Sequence, residues 1–194
     1  MSHSIVLAST SKYRKALLEK IGITFSCESP DIDETPTTDE TPEVLVKRLA
    51  FEKAKVIADK TCNSWVIGCD QVCSIDEKIV GKPGTVERAK HQLAQASGKT
   101  ITFYTGLCLF DSIDQSYQVI CDKFNVHFRD LTTKQIERYV EIEQPIDCAG
   151  SFKSEGLGIV LFEKLEGRDP NTLIGLPLIA LVEMFKNKGL TLPM

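Results

Sequence analysis

Two β-rich runs, Thr100–Phe110 and Tyr117–Arg129, stand on either side of a short polar turn. Runs of that length joined so briefly must lie side by side and antiparallel, because a parallel pair needs a crossover of a dozen or more residues. This one feature excludes an all-parallel sheet. The rest of the chain alternates strand and helix signals. Ser4–Ala8 is a short apolar strand, and Ser9-Thr10-Ser11 offers hydroxyl caps to a helix over Lys12–Lys20 that ends at Gly22. Ile23–Glu28 reads as a second strand, and Ser29–Glu40, rich in Pro, Asp, Glu and Thr, as a loop. Thr41-Pro42 is a cap followed by proline at the first helical position, opening a helix to about Lys60 with Val46, Leu49, Ala50, Ala54 and Ile57 on its apolar face.

Trp65–Cys69 is a buried strand, and Val72–Val80 a hairpin turning near Asp76-Glu77. Helices are expected over Thr85–Ser97, Thr132–Glu141 and Thr172–Lys188, a loop with three glycines over Ala149–Gly158, and a short strand over Gly158–Phe162. Mixing crossovers with hairpins predicts an α/β fold with a mixed sheet flanked by helices. At 194 residues the chain is expected to form a single domain over 1–194.

Composition narrows the function classes. The formal net charge of −4 disfavours a nucleic-acid partner, which needs a basic face, but leaves room for a small phosphorylated ligand. No apolar run approaches the roughly 20 residues of a membrane span. The first residues go straight into a strand without the pattern of a signal peptide, so a soluble, cytoplasmic protein is expected. The seven cysteines are odd in number, lack a C-x-x-C pair and sit mostly in apolar runs, which reads as reduced core thiols. Cys69 and Cys73 have no histidine at ligand spacing, so no thiolate zinc site is expected. The sequence leaves a homodimer open.

Several positions carry chemistry. Ser9, Thr10 and Ser11 cover a helix N-terminus with Arg14 in its first turn, a pattern that suits an anion, although spacing alone favours an ordinary capped helix with a solvated arginine. Ser97-Gly98-Lys99-Thr100 ends like a P-loop. Leu93 stands where the motif requires glycine, however, and the helix-then-strand order is reversed, so it is rejected. Asp31, Asp33 and Glu34 lie in the acidic loop, and Asp70 ends the apolar run Trp65–Cys69, where active-site groups of open α/β sheets often sit. Carboxylates from separate segments can share Mg²⁺ or Mn²⁺. Lys53 lies on the second helix, while Lys82 in Gly81-Lys82-Pro83-Gly84 and Lys153 in Ser151-Phe152-Lys153-Ser154-Glu155-Gly156 have glycine nearby. Taken singly, each lysine also reads as a surface charge. No Ser-His-Asp arrangement is supported.

Taken in order, Leu7-Ala8-Ser9-Thr10-Ser11-x-x-Arg14, Asp33-Glu34, Arg48-Leu49-Ala50-x-x-Lys53-Ala54, Gly68-Cys69-Asp70-Gln71-Val72 and Gly81-Lys82-Pro83 resemble the Maf nucleotide pyrophosphatases. The resemblance is collinear from about Ile5 to Leu190. It implies an elongated mixed sheet with two lobes around a deep cleft, shared with the inosine triphosphate pyrophosphatases. It also implies metal-dependent hydrolysis of a nucleoside triphosphate to monophosphate and pyrophosphate, with Mg²⁺ or Mn²⁺. By position, it makes Asp70 the general base. Ser9, Arg14, Lys53, Lys82 and Lys153 become the phosphate-holding groups, and Glu34 with Asp70 the metal ligands.

Tyr13, Gln71 and Glu155 fall where the chain is similar to the branch acting on 7-methyl-GTP. The dTTP/UTP branch typically has arginine, threonine and glutamine there. The 7-methyl-GTP branch often carries tryptophan where Tyr13 stands. An aromatic ring can stack on a cationic methylated base, and a carboxylate can accept from the guanine N1–H and amino edge. The alternatives are a dTTP/UTP or broad-specificity pyrophosphatase, or a nucleotide-binding regulator of cell division.

Overall fold

The computed structural model describes residues 3–193. Its strands are β1 (Ser4–Ala8), β2 (Ser26–Glu28), β3 (Ser64–Ile75), β4 (Lys78–Val80), β5 (Thr100–Asp111), β6 (Tyr117–Phe128) and β7 (Phe162–Gly167). Its helices are α1 (Lys12–Glu19), α2 (Pro42–Ala58), α3 (Val86–Ala96), α4 (Thr133–Glu143), α5 (Pro170–Ile174) and α6 (Leu178–Asn187). The strand order is β2-β1-β3-β5-β6-β7, with β4 on β3. β1 runs parallel to β2 and β3, while β4 and β7 are antiparallel to β3 and β6. The sheet is therefore mixed, as the two long strands demanded. The hairpin register is visible at its turn, where Asp111 N–H donates to Ser116 C=O at 2.9 Å.

The chain divides into two compact units, one of Met1–Asp70, Thr105–Asp122 and Asp169–Met194, the other of Gln71–Tyr104 and Lys123–Arg168. In the first unit, side-chain alternation along β1 and β3 sorts the core onto two sheet faces. Ile5, Leu7, Trp65, Ile67 and Cys69 pack with Leu17 and Leu18 of α1 and with Leu178, Leu181, Met184 and Phe185 of α6. Val6, Ala8 and Val66 face the other way, onto Ala50, Ala54, Ile57 and Ala58 of α2. Each fully buried Leu or Ile contributes about 1.5–3 kcal/mol by removal from water.

α2 comes unusually close to the strands beneath it. A Cβ on Gly68 would lie 2.0 Å from the Ala50 carbonyl oxygen, and one on Gly106 would lie 2.0 Å from that of Val46. Only glycine permits that approach. In the second unit the core is aromatic: Phe152 meets Phe103, Phe128 and Phe162 edge-on at centroid distances of 5.4, 5.6 and 4.8 Å.

Three expectations need correcting. Gly158–Phe162 is not a strand: Leu157–Leu161 winds as a 3-10 turn and the strand begins at Phe162. The Gly156 and Gly158 amides both donate to the Lys153 carbonyl, at 3.3 and 3.1 Å, which coils the chain instead of extending it. The single helix expected over Thr172–Lys188 is broken into α5 and α6. Gly175 takes φ 119°, outside the helical region, and Pro177 follows. β2 is shorter than Ile23–Glu28, because only Ser26, Cys27 and Glu28 pair with β1 and Ile23 packs into the core. Among the described residues no helix is long and apolar enough to cross a membrane.

Candidate active site

Asp70 stands two residues beyond Gly68 on β3, so both point to the face that α2 covers. Lys53 lies on α2 between Ala50 and Ala54, the residues in contact distance of Gly68. The close helix approach that Gly68 allows thus delivers a lysine onto a carboxylate. Lys53 Nζ donates to Asp70 Oδ1 at 2.7 Å, with Lys53 5 % and Asp70 7 % exposed. A second carboxylate oxygen, Glu34 Oε1, lies 2.6 Å from the same ammonium, on a side chain that is largely exposed. Burying either charge alone would be costly, and the pairing offsets that cost.

Arg48, one helical turn before Glu52 on α2, holds the loop that carries Glu34. Its guanidinium takes Glu40 in a two-pronged pair at 2.8 and 2.8 Å, reaches Glu52 at 3.1 Å and donates to the Thr35 carbonyl at 3.2 Å. That hydrogen bonding, above all from Arg48, pulls the Glu40 carboxyl down to about 2. The loop is also capped internally. Asp33 Oδ1 accepts from Thr35 N–H at 2.9 Å, and hydrogen bonding from the Thr35 side chain first and its backbone amide second lowers the Asp33 carboxyl below its usual range. Asp31 is exposed.

At the β1–α1 junction Ser9 is 6 % exposed and accepts from Ser11 N–H at 3.1 Å, while Ser11 caps the helix by accepting from Arg14 N–H at 3.4 Å. Arg14 Nε donates to the Gly175 carbonyl at 3.0 Å. The Cys69 thiol shares that acceptor at 3.0 Å, and burial pushes the thiol up against the opposing pull of Arg14, keeping it a donor. The left-handed break at Gly175 therefore turns a backbone carbonyl toward the guanidinium. Tyr13, half-buried, has the Lys12 ammonium 5.0 Å from its ring centroid.

The remaining expected residues belong to the second unit. Gln71 directly follows Asp70 and is half-buried, and Lys82 and Glu155 are exposed. Lys153 Nζ donates to the Glu143 carbonyl at 2.6 Å, and Lys153 N–H donates to the Tyr139 hydroxyl at 3.0 Å. Glu143 also accepts from Leu157 N–H at 2.9 Å, so the end of α4 fixes the glycine-rich loop from both sides.

Lys53, Asp70 and Glu34 are thus brought together directly, and Ser9 and Arg14 share one junction. Sequence reasoning missed the anchoring by Arg48 and the Gly175 carbonyl. Arg48 carried a signal in its spacing, standing four residues before Glu52 on the same helix. A backbone carbonyl carries none.

A group of three or more metal-ligating side chains is not found among the described residues. The two carboxylates that converge on the Lys53 ammonium are hard oxygen donors around a point that already holds positive charge. They fit a partial ligand set completed by phosphate oxygens and water.

The family model described as "Maf-like protein" matches residues 4–188. The chain belongs to the Maf-like family. Two relatives extend over nearly all of this Maf-like chain. One, from Aliivibrio fischeri, is 57% identical over 190 residues, covering 98% of each chain, and is named "7-methyl-GTP pyrophosphatase". Another, from Alcanivorax borkumensis, bears the same name and is 55% identical over 191 residues, covering 98% of this chain and 97% of its own. The Ham1 protein of Staphylococcus aureus has a solved structure similar to this one, with a TM-score of 0.54 at 16% identity, covering 96% of this chain and 100% of that one. At that identity the likeness concerns the fold alone, and it agrees with the mixed α/β architecture.

Proposed function

We propose that this Maf-like chain is a nucleoside triphosphate pyrophosphatase that hydrolyses 7-methyl-GTP to 7-methyl-GMP and pyrophosphate, clearing modified nucleotides in the cytoplasm. The activity is supported by the names of the two near-full-length relatives. The chemistry is supported by one observation above the rest, the buried Lys53–Asp70 pair with Glu34 on the same ammonium. All seven cysteines are free thiols, which suits a reducing compartment.

In this reading the oxygen of a water attacks the α-phosphorus, the bond from that phosphorus to the bridging oxygen breaks, and pyrophosphate leaves. Asp70 accepts its hydrogen bond from Lys53 through Oδ1, which leaves Oδ2 to take the proton of the attacking water. Lys53, Arg14, Lys82 and Lys153, with the Ser9 hydroxyl, hold the phosphate oxygens and offset their growing charge. Arg14 is suited to this because Gly175 holds its Nε and leaves the terminal nitrogens to face an anion. When bound, Mg²⁺ or Mn²⁺ on Glu34 and Asp70 would supply Lewis-acid charge to the phosphoryl oxygens. Glu155 reads the guanine edge, Tyr13 stacks on the cationic ring, and Gln71 lies beside the base. We read residues 1–194 as a single Maf-like nucleotide pyrophosphatase domain.

Hydrolysis in ¹⁸O-labelled water tests the reaction. Label is expected in 7-methyl-GMP and not in pyrophosphate. Label in pyrophosphate would place the attack at the β-phosphorus and remove the role given to Asp70.

A further inference from the structure

Gln92 is a polar residue on an apolar stripe. It lies on α3 with Ala89, Leu93 and Ala96, all buried, and is itself only 7 % exposed. A buried amide must find both a donor's and an acceptor's partner or lose the hydration of each. Gln92 finds both in two separate loops. Its Nε2–H donates to the Gly81 carbonyl at 3.2 Å, and its Oε1 accepts a short hydrogen bond from the Ser151 hydroxyl.

Gly81 directly precedes Lys82, and Ser151 stands two residues before Lys153. One side chain therefore ties together the two glycine-containing loops that bear the two lysines. Ser151 is fully buried and holds φ 62°, a left-handed conformation that a non-glycine residue keeps only when its surroundings fix it. Phe152, between Ser151 and Lys153, is itself held in the aromatic core. The Lys82 turn is joined to the chain ahead of Ser151 by Gly84 N–H donating to the Ile146 carbonyl at 3.0 Å, and the Gln92 amide adds a side-chain link next to both lysines.

We propose that Gln92 is a positioning residue, which sets the distance between the Lys82 and Lys153 backbones so that both ammonium groups can engage one polyphosphate. The inference rests on the phosphate-holding roles given to those two lysines above. An amide is required because one partner is a carbonyl acceptor and the other a hydroxyl donor. A carboxylate of the same size would meet the carbonyl with a second acceptor.

The test uses the full chain. The Kd for inorganic pyrophosphate is measured by calorimetry, alongside KM and kcat for 7-methyl-GTP and the Tm. The variants are Lys82→Ala, Lys153→Ala, Gln92→Glu, Ser151→Ala and the double variant Gln92→Glu/Lys82→Ala. Gln92→Glu and Ser151→Ala are each expected to weaken pyrophosphate binding and raise KM by about tenfold, with kcat changed by less than about threefold. The double variant is expected to bind no worse than Lys82→Ala alone, because Gln92 acts through the lysine. A lowered Tm with Kd and KM unchanged would make Gln92 merely structural. Additive losses in the double variant would likewise overturn the positioning role. Should Gln92→Glu fail to fold, Ser151→Ala decides the question by the same measurements. If Lys82→Ala and Lys153→Ala bind pyrophosphate as the wild type does, the phosphate roles fail first and the inference falls with them. Weakened lysine variants beside unaffected Gln92 and Ser151 variants would overturn the inference alone.

Discussion

Lys53 Nζ lies 2.7 Å from Asp70 Oδ1, a contact between buried charges 17 residues apart in sequence. Removing either partner strands the other, yet the two removals differ. Asp70→Asn keeps an oxygen for Lys53 to bond but cannot take a proton, so kcat is expected to fall by about 10²–10⁴-fold while the chain stays folded. Lys53→Ala leaves Asp70 buried without its nearest cation and is expected to cost about 3–5 kcal/mol of stability. Chemical denaturation beside initial rates separates the two effects. Equal stability losses in both variants would contradict the assignment.

Gly68 is required by space rather than by a turn. A methyl group there would overlap the Ala50 carbonyl at 2.0 Å and the Ala54 backbone nitrogen at 2.7 Å. Gly68→Ala must push α2 off β3 and is expected to destabilise by about 1–3 kcal/mol, displacing Lys53 from Asp70 as it does so. Denaturant midpoints and kcat measured on the folded protein should fall together. Loss of stability with unchanged kcat would show that Lys53 placement does not depend on the close approach.

The Arg48–Glu40 pair makes the acidic loop sensitive to low pH. Folding lowers the Glu40 carboxyl from 4.5 to about 2. A lowered carboxyl contributes stability that is present above its unfolded value and is lost as pH falls through the folded one. Stability should therefore fall from about pH 4.5 toward about pH 2, and Arg48→Lys, which cannot grip both oxygens, should flatten that part of the profile. Thermal unfolding of both proteins across that range checks it. An unchanged profile in Arg48→Lys would assign the acid sensitivity elsewhere.

Base selection is expected to rest on Tyr13 and Glu155. The Lys12 ammonium 5.0 Å from the Tyr13 centroid shows that the ring's face accepts a cation. Tyr13→Leu and Glu155→Gln should each lower kcat/KM for 7-methyl-GTP by about tenfold or more, with a much smaller effect on UTP. Equal losses on both substrates would remove the base-reading roles.

Most of the sheet, though not the place of β7 or the length of β2, could be read from sequence because its signals are local. The hairpin of β5 and β6, the Thr41-Pro42 start of α2 and the turn at Asp76-Glu77 each depend on neighbours in the chain. The ending went wrong where one backbone position outweighed a helical pattern. Gly175 breaks the run from Thr172 onward, and its carbonyl then serves Arg14 from 161 residues away. The acidic loop shows the same limit. Its composition pointed to carboxylate chemistry, but nothing in it set Glu34 apart from Asp33 as the residue that reaches Lys53. Gln92 was legible in principle, as a polar side chain on the apolar face of α3, although its partners in two distant loops were not.

Initial-rate pyrophosphate release from 7-methyl-GTP, GTP, UTP, dTTP and ITP with Mg²⁺ or Mn²⁺, wild type beside Asp70→Asn, tests the central claim most directly. Strong preference for 7-methyl-GTP, abolished by the substitution, is the expected result. Preference for UTP or dTTP, or full activity without the Asp70 carboxylate, would contradict it.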